Sequence, residues 1–387
     1  MKIIAISNLI PAENQDGTRL IAYHRLLHMA KLGHSIDLVC FQSKNKKNDY
    51  SLKRILEKKG ISVHFIKWNI FEAIYNLLLG LLSGLPLQCS LFKSKQFSKK
   101  IKKIFEAGKI DAIYCVMIRV ALNINWYDGK IFVDMVDSMG LNFFRRYKYS
   151  KGLKKWILKI EKKRVSNYEK KLANISKFSF VVSAIDKKNI GSSKVKVIPQ
   201  GVKFYNKKRK IKKNPIIIFT GNMYYAPNID AITWFIKNCW FNILKKEPKS
   251  KLFIVGNNPS PEIISMSLTY PSIKLTGRVP SIMNFLSKAT VAIAPMQSGS
   301  GIQNKILESM SCSVPVVTTK IGFGDLNAVP RKDLFVADNA NDFFKKVIYL
   351  IRSRKKNIII GKNGQKYVRK YHNWKNLNQT FINFLNT

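Results

Sequence analysis

Short runs of β-branched and other apolar residues alternate with longer stretches whose apolar positions recur every three or four residues. The runs fall at 3–6, 35–40, 63–66, 112–116, 131–136, 178–183 and 195–198, then at 216–220, 252–255, 273–276, 291–294, 316–319 and 334–337. Most are continuous rather than alternating, as in parallel strands covered on both faces. Strand alternating with helix predicts βαβ units, here in two series. The expected class is therefore α/β, with two doubly wound, Rossmann-like domains.

The boundary between the series is visible. After 195–198 come Pro199, Gln200, Gly201 and Val202, then seven basic residues and no acid in 203–213, then Asn214 and Pro215. Such a segment reads as a solvated linker or hinge. The expected division is an N-terminal domain over 1–198, a basic linker over 199–214 and a C-terminal domain over 215–369. In the tail, Tyr367, Val368, Tyr371, Trp374, Leu377, Phe381 and Leu385 are at roughly helical spacing. A helix at about 370–387 could pack back on the N-terminal domain or on the second.

The most apolar stretch, 70–87, is interrupted by Glu72, Gly80, Gly84 and Pro86. A bilayer span needs about 20 consecutive apolar residues, so a core or interfacial helix is expected instead. The run that opens the chain is too short for a signal peptide and reads as a first buried strand.

Composition adds three constraints. A length of 387 residues suits two domains. Apolar residues at 46% and aromatics at 11% exclude disorder as a global description. Cys40, Cys89, Cys115, Cys239 and Cys312 are scattered without CxxC spacing and read as reduced, mostly buried thiols.

Charge changes the picture more. There are 68 Lys and Arg against 22 Asp and Glu, a net +46, which implies an anionic partner. Nucleic acid, an anionic membrane surface and a phosphorylated small molecule all qualify. The basic residues are clustered: six lysines in 93–103, twelve Lys or Arg in 145–171, and seven more in the linker. Along and just beyond 145–171 the positions Leu153, Trp156, Ile157, Ile160, Tyr168, Leu172 and Ile175 form an apolar stripe with lysines opposite. That face is either simply solvated or attracted to an anionic bilayer. Nucleic-acid binding gains from aromatics interleaved with the cations. Here most aromatics sit on the stripe and look committed to the core.

The segment richest in chemistry is Ala294-Pro295-Met296-Gln297-Ser298-Gly299-Ser300-Gly301-Ile302-Gln303-Asn304-Lys305-Ile306-Leu307-Glu308-Ser309-Met310. A buried strand ends, a Gly/Ser loop follows, and a helix bears Lys305 and Glu308. Free backbone N–H groups and a positive helix end there would suit an anion. Lys305 could add a point charge for a phosphate, and Glu308 could accept hydrogen bonds from sugar hydroxyls. The plainer alternative is a strand-to-helix turn with a surface ion pair at i, i+3. Other chemistries lack support. His24 and His28 stand four apart without an HExxH pattern, and Walker, GxSxG and DxD motifs are missing. No metal and no cofactor are expected.

At this segment the chain resembles family 4 retaining glycosyltransferases, which have the two-domain GT-B fold. The family pattern is Glu, seven residues, Glu, then a Met-(Ala/Ser)-x-x-x-Pro-Val-Val stretch. Glu308-Ser309-Met310-Ser311-Cys312-Ser313-Val314-Pro315-Val316-Val317 fits its second half. The first Glu falls at Ser300, which can make one hydrogen bond but carries no charge. Phe219-Thr220-Gly221-Asn222-Met223-Tyr224-Tyr225-Ala226-Pro227-Asn228 resembles the opening of the family's C-terminal domain. Ile254-Val255-Gly256 and Thr276-Gly277-Arg278-Val279-Pro280 resemble its next two strand ends. In the N-terminal half the glycine loop around Gly17 and the stretch Asp134-Met135-Val136-Asp137-Ser138 match more loosely.

The resemblance implies a GT-B architecture, two Rossmann-like domains facing a cleft, and a role for each matched residue. Glu308 would bind the ribose of a nucleotide-sugar and Lys305 its diphosphate. Ser300, Gly301, Ile302 and Asn304 would meet phosphate or sugar. Gly17 would let backbone approach the diphosphate from the other domain. Arg278 and Val279 would lie by the base, and Gly221 and Asn222 would line the cleft. Asp134 or Asp137 could face the reacting sugar, with Asp137 favoured; a turn or helix-capping role is its alternative. Asp137 and Lys305 are thus the catalytic candidates.

The implied activity is that of a hexosyltransferase-type enzyme (EC 2.4). Sugar would pass, with retention, from a nucleotide-sugar to a lipid-linked glycan in cell-surface polysaccharide assembly of the lipopolysaccharide or O-antigen type. The chain would be cytoplasmic and peripheral, docked on the inner face of the cytoplasmic membrane by its basic clusters. Competing functions are a nucleotide-sugar epimerase or hydrolase of the same fold and, on charge alone, a nucleic-acid-binding protein; no nucleic-acid partner is expected.

Overall fold

A computed structural model of the chain describes residues 1–13, 17–148, 150–205, 209–298, 301–337 and 339–387. Among them, seven strands form a first sheet: β1 Lys2–Ser7, β2 Ser35–Phe41, β3 Ile61–Ile66, β4 Ala112–Val116, β5 Ile131–Val136, β6 Phe178–Val181 and β7 Val195–Val197. Six form a second: β8 Ile216–Thr220, β9 Lys251–Val255, β10 Ile273–Gly277, β11 Val291–Ala294, β12 Val316–Thr319 and β13 Phe335–Ala337. The orders are β3-β2-β1-β4-β5-β6-β7 and β10-β9-β8-β11-β12-β13. Pairing between these strands is parallel throughout. Each sheet is Rossmann-like, as the alternation of runs implies. In each, the order reverses beside the first strand of its series, between β1 and β4 and between β8 and β11. Open α/β sheets bind ligands outside the carboxyl ends of the strands at such a reversal.

The chain forms two compact units, one of Met1–Gln200 with Lys375–Thr387, the other of Gly201–Trp374. In the first, β4 and β5 are buried along their whole length. Arg25, from the helix Gly17–Lys31, lies in this core beside Asp134 of β5; they are 2% and 0% exposed and form an ion pair. The Tyr114 hydroxyl donates to the same carboxylate at 2.6 Å. The guanidinium sits over the rings of Phe381 and Phe180, 4.8 and 5.5 Å from their centroids. Phe381 belongs to the helix Trp374–Leu385 and meets Tyr114 and Phe180 edge-on. The late helix therefore closes the core of the first unit.

Two local features differ from expectation, and a third decides between two expected alternatives. The stripe on the helix Gly152–Ile175 is buried only in part. Of its members Leu172 is buried, beside Leu158 and Val165, which are not part of it, whereas Leu153, Trp156, Ile157 and Ile175 are exposed. The helix begins beyond the body of its unit, since residues 151–157 are all exposed. The apolar stretch becomes the helix Ile70–Ser83, capped by Asn69 and ended by Gly84 at φ 71°. It buries only Ala73, Asn76 and Gly80, so it is not a core helix. Finally, the basic segment after β7 is not solvated throughout. Arg209 donates to the Ser313 carbonyl and to Asn357 Oδ1, and burial lowers it to about 10. Its fork suits two fixed acceptors, which a flexible linker would not offer.

All five cysteines are free and buried. Among the described residues no helix is long and apolar enough to cross a membrane.

Candidate functional site

The second unit builds a site from the loops that leave β8 and β11, the two strands flanking its reversal. The apolar run of β8 ends at Thr220, and the backbone then makes a close approach. Gly221 N–H donates to the Val255 carbonyl at 3.0 Å. A Cβ on Gly256 would lie 1.7 Å from the Gly221 carbonyl oxygen. A Cβ on Gly221 would lie 2.8 Å from the side chain of Asn228. Gly256→Ala should therefore force two strand-end backbones apart. Overpacking costs about 1–3 kcal/mol, occasionally more, and a clash against backbone belongs at the upper end. Thermal unfolding should show a fall of several degrees in Tm; an unchanged Tm would mean the loops yield freely.

Asn228 stands in the first turn of the helix Ala226–Phe235 and is 6% exposed. Its amide donates to the Asn222 carbonyl at 2.9 Å. Its Oδ1 accepts from Lys305 Nζ at 2.9 Å. Lys305 comes from the opposite side of the reversal, in the helix Asn304–Ser311 that follows β11. Its ammonium also donates to Gln303 Oε1 at 3.1 Å and lies 5.5 Å from the centroid of the Phe219 ring. A lysine is thus held by two neutral amides and an aromatic face. Burial lowers Lys305 to about 8, with Glu308 opposing the shift. Burial likewise raises Glu308, one turn on, to about 7, with Lys305 opposing. Groups poised near neutrality by burial beside an opposite charge mark candidate functional sites.

Two buried oxygens on the same pair of loops have no protein partner, Thr220 Oγ1 and Asn304 Oδ1. Buried polar atoms are normally satisfied, so such atoms at a strand end are available to a ligand. Gly301 has φ 70°, a conformation that favours glycine. Ile302 and Val279 pack against the cluster that holds Leu307 and Val255. Arg278 is exposed. Ser300, expected beside the donor, lies outside the described residues. The structure therefore joins Gly221, Asn222 and Lys305 through Asn228. The sequence reading gave Asn228 no role, although it ended a matched stretch. Its sequence signal is slight: an asparagine just inside a helix start, after Pro227.

In the first unit, Gly17 opens the helix after β1. Arg19, two residues on, ties that loop by donating to the Ile10 carbonyl at 2.8 Å. Asp137 follows Val136, which has φ 62°. A β-branched residue there is a backbone outlier, and such strain clusters at functional sites. Burial and the neighbouring Asp186 carboxylate raise Asp137 to about 6, against a hydrogen bond with Asn142 that lowers it. Glu169 accepts from Ser138 Oγ at 2.9 Å and from the Met139 and Gly140 N–H groups, fixing the turn that carries Asp137. Asp134, the alternative to Asp137, is committed to Arg25 and Tyr114 in the core.

Comparison with known proteins bears on the family and the fold. Residues 214–353 match the family model described as glycosyl transferases group 1. An uncharacterized 44.6 kDa protein in the cps region of Klebsiella pneumoniae is 22% identical over 362 residues, 90% of either chain. Among solved structures, a mutant of TarM from S. aureus, bound to UDP, Fondaparinux and alpha-GlcNAc-glycerol, superimposes with TM-score 0.73 at 12% identity. HepE of Anabaena, in complex with UDP and glucose, does so with TM-score 0.66 at 15% identity. Both alignments cover all of both chains.

Proposed function

We propose that the chain, whose residues 214–353 match the group 1 glycosyl transferase model and whose fold is GT-B, is a family 4 glycosyltransferase that moves a sugar, with retention, from a nucleoside-diphosphate sugar to a lipid-linked saccharide in polysaccharide assembly. The observation that carries the donor reading is the Lys305 ammonium, held by Asn228 at the reversal of the second sheet. UDP in the solved TarM and HepE complexes supports a nucleotide donor. The relative in a cps region supports a polysaccharide product.

In this reading the donor diphosphate lies at Lys305, the Gly301–Ile302 backbone and Asn304. Gly221 and Asn222 leave room for it, and Glu308 accepts from the ribose hydroxyls. Arg278 and Val279 flank the base. The bond from the anomeric carbon to the β-phosphate oxygen breaks, and the acceptor hydroxyl oxygen bonds to that carbon. The hydroxyl proton passes to the departing phosphate, so nucleoside diphosphate and glycosylated acceptor are the products. Lys305 offsets the charge that grows on the leaving oxygen. The clusters in 93–103 and 145–171 hold the chain at the anionic inner face of the membrane, where a lipid-linked acceptor is found.

A thermal-shift screen of UDP-, GDP- and dTDP-sugars tests the donor site, because a ligand bound only by the native state raises Tm. Glu308→Ala should abolish the shift that the preferred donor gives. An undiminished shift would remove Glu308 from the site. Transfer to a lipid-linked acceptor tests the rest; turnover of donor with no acceptor would make the enzyme an epimerase or hydrolase.

A further inference from the structure

The helix Ile70–Ser83 shows an arrangement that solvation alone does not explain. Ile70, Phe71, Ile74, Tyr75, Leu78, Leu79, Leu81 and Leu82 are all exposed, Phe71 by 80% and Leu82 by 86%. They recur with helical period along one face. The opposite face, Ala73, Asn76 and Gly80, is buried. A Cβ on Gly80 would lie 2.3 Å from Ser90 Oγ, so the helix is seated closely on that side. The one charge on the helix, Glu72, is turned to the body of the unit, where it accepts from Lys95 N–H at 2.6 Å. Scattered apolar residues are normal on a surface, but a contiguous apolar face marks an interaction site.

Cations stand at both ends of that face. Near its start Glu72 meets the backbone of Lys95, midway Asn76 donates to the carbonyl of Lys93 at 2.9 Å, and both lysines are exposed. At its end, Arg164 donates to the Leu81 carbonyl at 2.7 Å. There a cavity of about 520 Å³ is lined by Gly84, Trp156, Lys159, Ile160, Lys163 and Arg164. Trp156 is 62% exposed, and Leu153 and Ile157 beside it are exposed too. A helix of 14 residues spans about 21 Å at 1.5 Å per residue, too short to cross a bilayer core of about 30 Å. It suits a helix lying in the interface, with its apolar face in the acyl chains and cations at the headgroups.

We infer that the helix Ile70–Ser83 inserts into an anionic bilayer, and that the cationic cavity at its end takes a lipid phosphate. The inference deepens the membrane part of the proposed function and rests on it, but not on the sugar chemistry. Charge alone would hold the protein above the headgroups; this face places part of it below them. The lipid phosphate is fixed at the depth of the Trp156 ring, and the wedge of leucines sets the height of the first unit above the acyl chains.

The test is vesicle co-sedimentation of the full chain with phosphatidylcholine vesicles, with and without phosphatidylglycerol, beside a donor thermal shift. Leu78→Glu/Leu82→Glu should weaken binding to the anionic vesicles at least about tenfold, since each leucine loses its apolar burial. Tm and the donor shift should stay as in the wild type, because both side chains are exposed. Acyl-brominated lipid should quench tryptophan emission, and Trp156→Phe should remove part of that quenching. Unweakened binding of the double variant, or no quenching, would overturn insertion and leave electrostatic docking. No binding to any vesicle would overturn both, with the donor shift untouched. A stable dimer of the wild type that the double variant splits would assign the face to a second copy of the chain, and would also overturn it.

Discussion

Lys305→Met should lower kcat/KM for the donor by about 100- to 1000-fold, the cost of losing one preorganised charge partner of a leaving group. The same change should leave Tm nearly unaltered. Burial disfavours the ammonium in the folded protein, as its lowered pKa of about 8 records. Methionine removes that penalty at the cost of the contacts that the ammonium makes with Asn228 Oδ1, Gln303 Oε1 and Met296 Sδ. A large kinetic loss with a small stability change would separate a functional lysine from a structural one. Activity within a few-fold of wild type would remove Lys305 from the chemistry.

The sign of the pH dependence follows from the same pair. Lys305 must be protonated to meet phosphate, so kcat/KM should fall as pH rises through about 8. Glu308 must be ionised to accept both ribose hydroxyls, so kcat/KM should also fall as pH drops through about 7. The free-enzyme profile should therefore be a narrow bell, since kcat/KM reports groups of the free enzyme. Bound diphosphate favours the ammonium, so the alkaline limb of kcat should lie at higher pH. Glu308→Gln should flatten the acid limb and move the alkaline one to lower pH, because the Glu308 charge opposes the lowering of Lys305.

Asp134→Asn should destabilise the first unit by about 3–5 kcal/mol, the usual cost of leaving a buried charge unpaired. Arg25 would keep its charge between Phe180 and Phe381 with no counter-ion. At about 2–4 °C per kcal/mol for a unit of this size, thermal unfolding should start roughly 10 °C earlier. Arg25→Met paired with Asp134→Leu should cost much less than the single changes added together, because it removes both charges. Additive losses would show that the two side chains do not depend on each other.

The fold was legible because its signal is local. Continuous apolar runs such as 112–116 and 131–136 have the composition of strands covered twice, and they are β4 and β5. The strand, loop and helix around Lys305 were legible for the same reason. What stayed hidden depends on distant partners. Asn228 and Lys305 are 77 positions apart, and neither neighbourhood says that the two will meet. Hydrophobicity shows that a side chain will leave water, not what it will leave water for. That is why the stripe at Leu153, Trp156 and Ile157 read as core and is exposed. Asp134 and Asp137 stand three apart on one strand end. Only the long-range contact with Arg25 tells a core ion pair from a half-buried carboxylate.

The helix Trp374–Leu385 bears on the order in which the molecule can be made. Domains generally fold as units during synthesis, the N-terminal one first. Here the slot between Tyr114 and Phe180, above Arg25, waits for Phe381, which leaves the ribosome after all of Gly201–Trp374. The first unit is therefore held unfinished while the second is translated, and its last layer is laid down by the newest residues. A nascent chain of this protein keeps an open aromatic seam from the time Phe180 is made until the helix Trp374–Leu385 arrives to shut it.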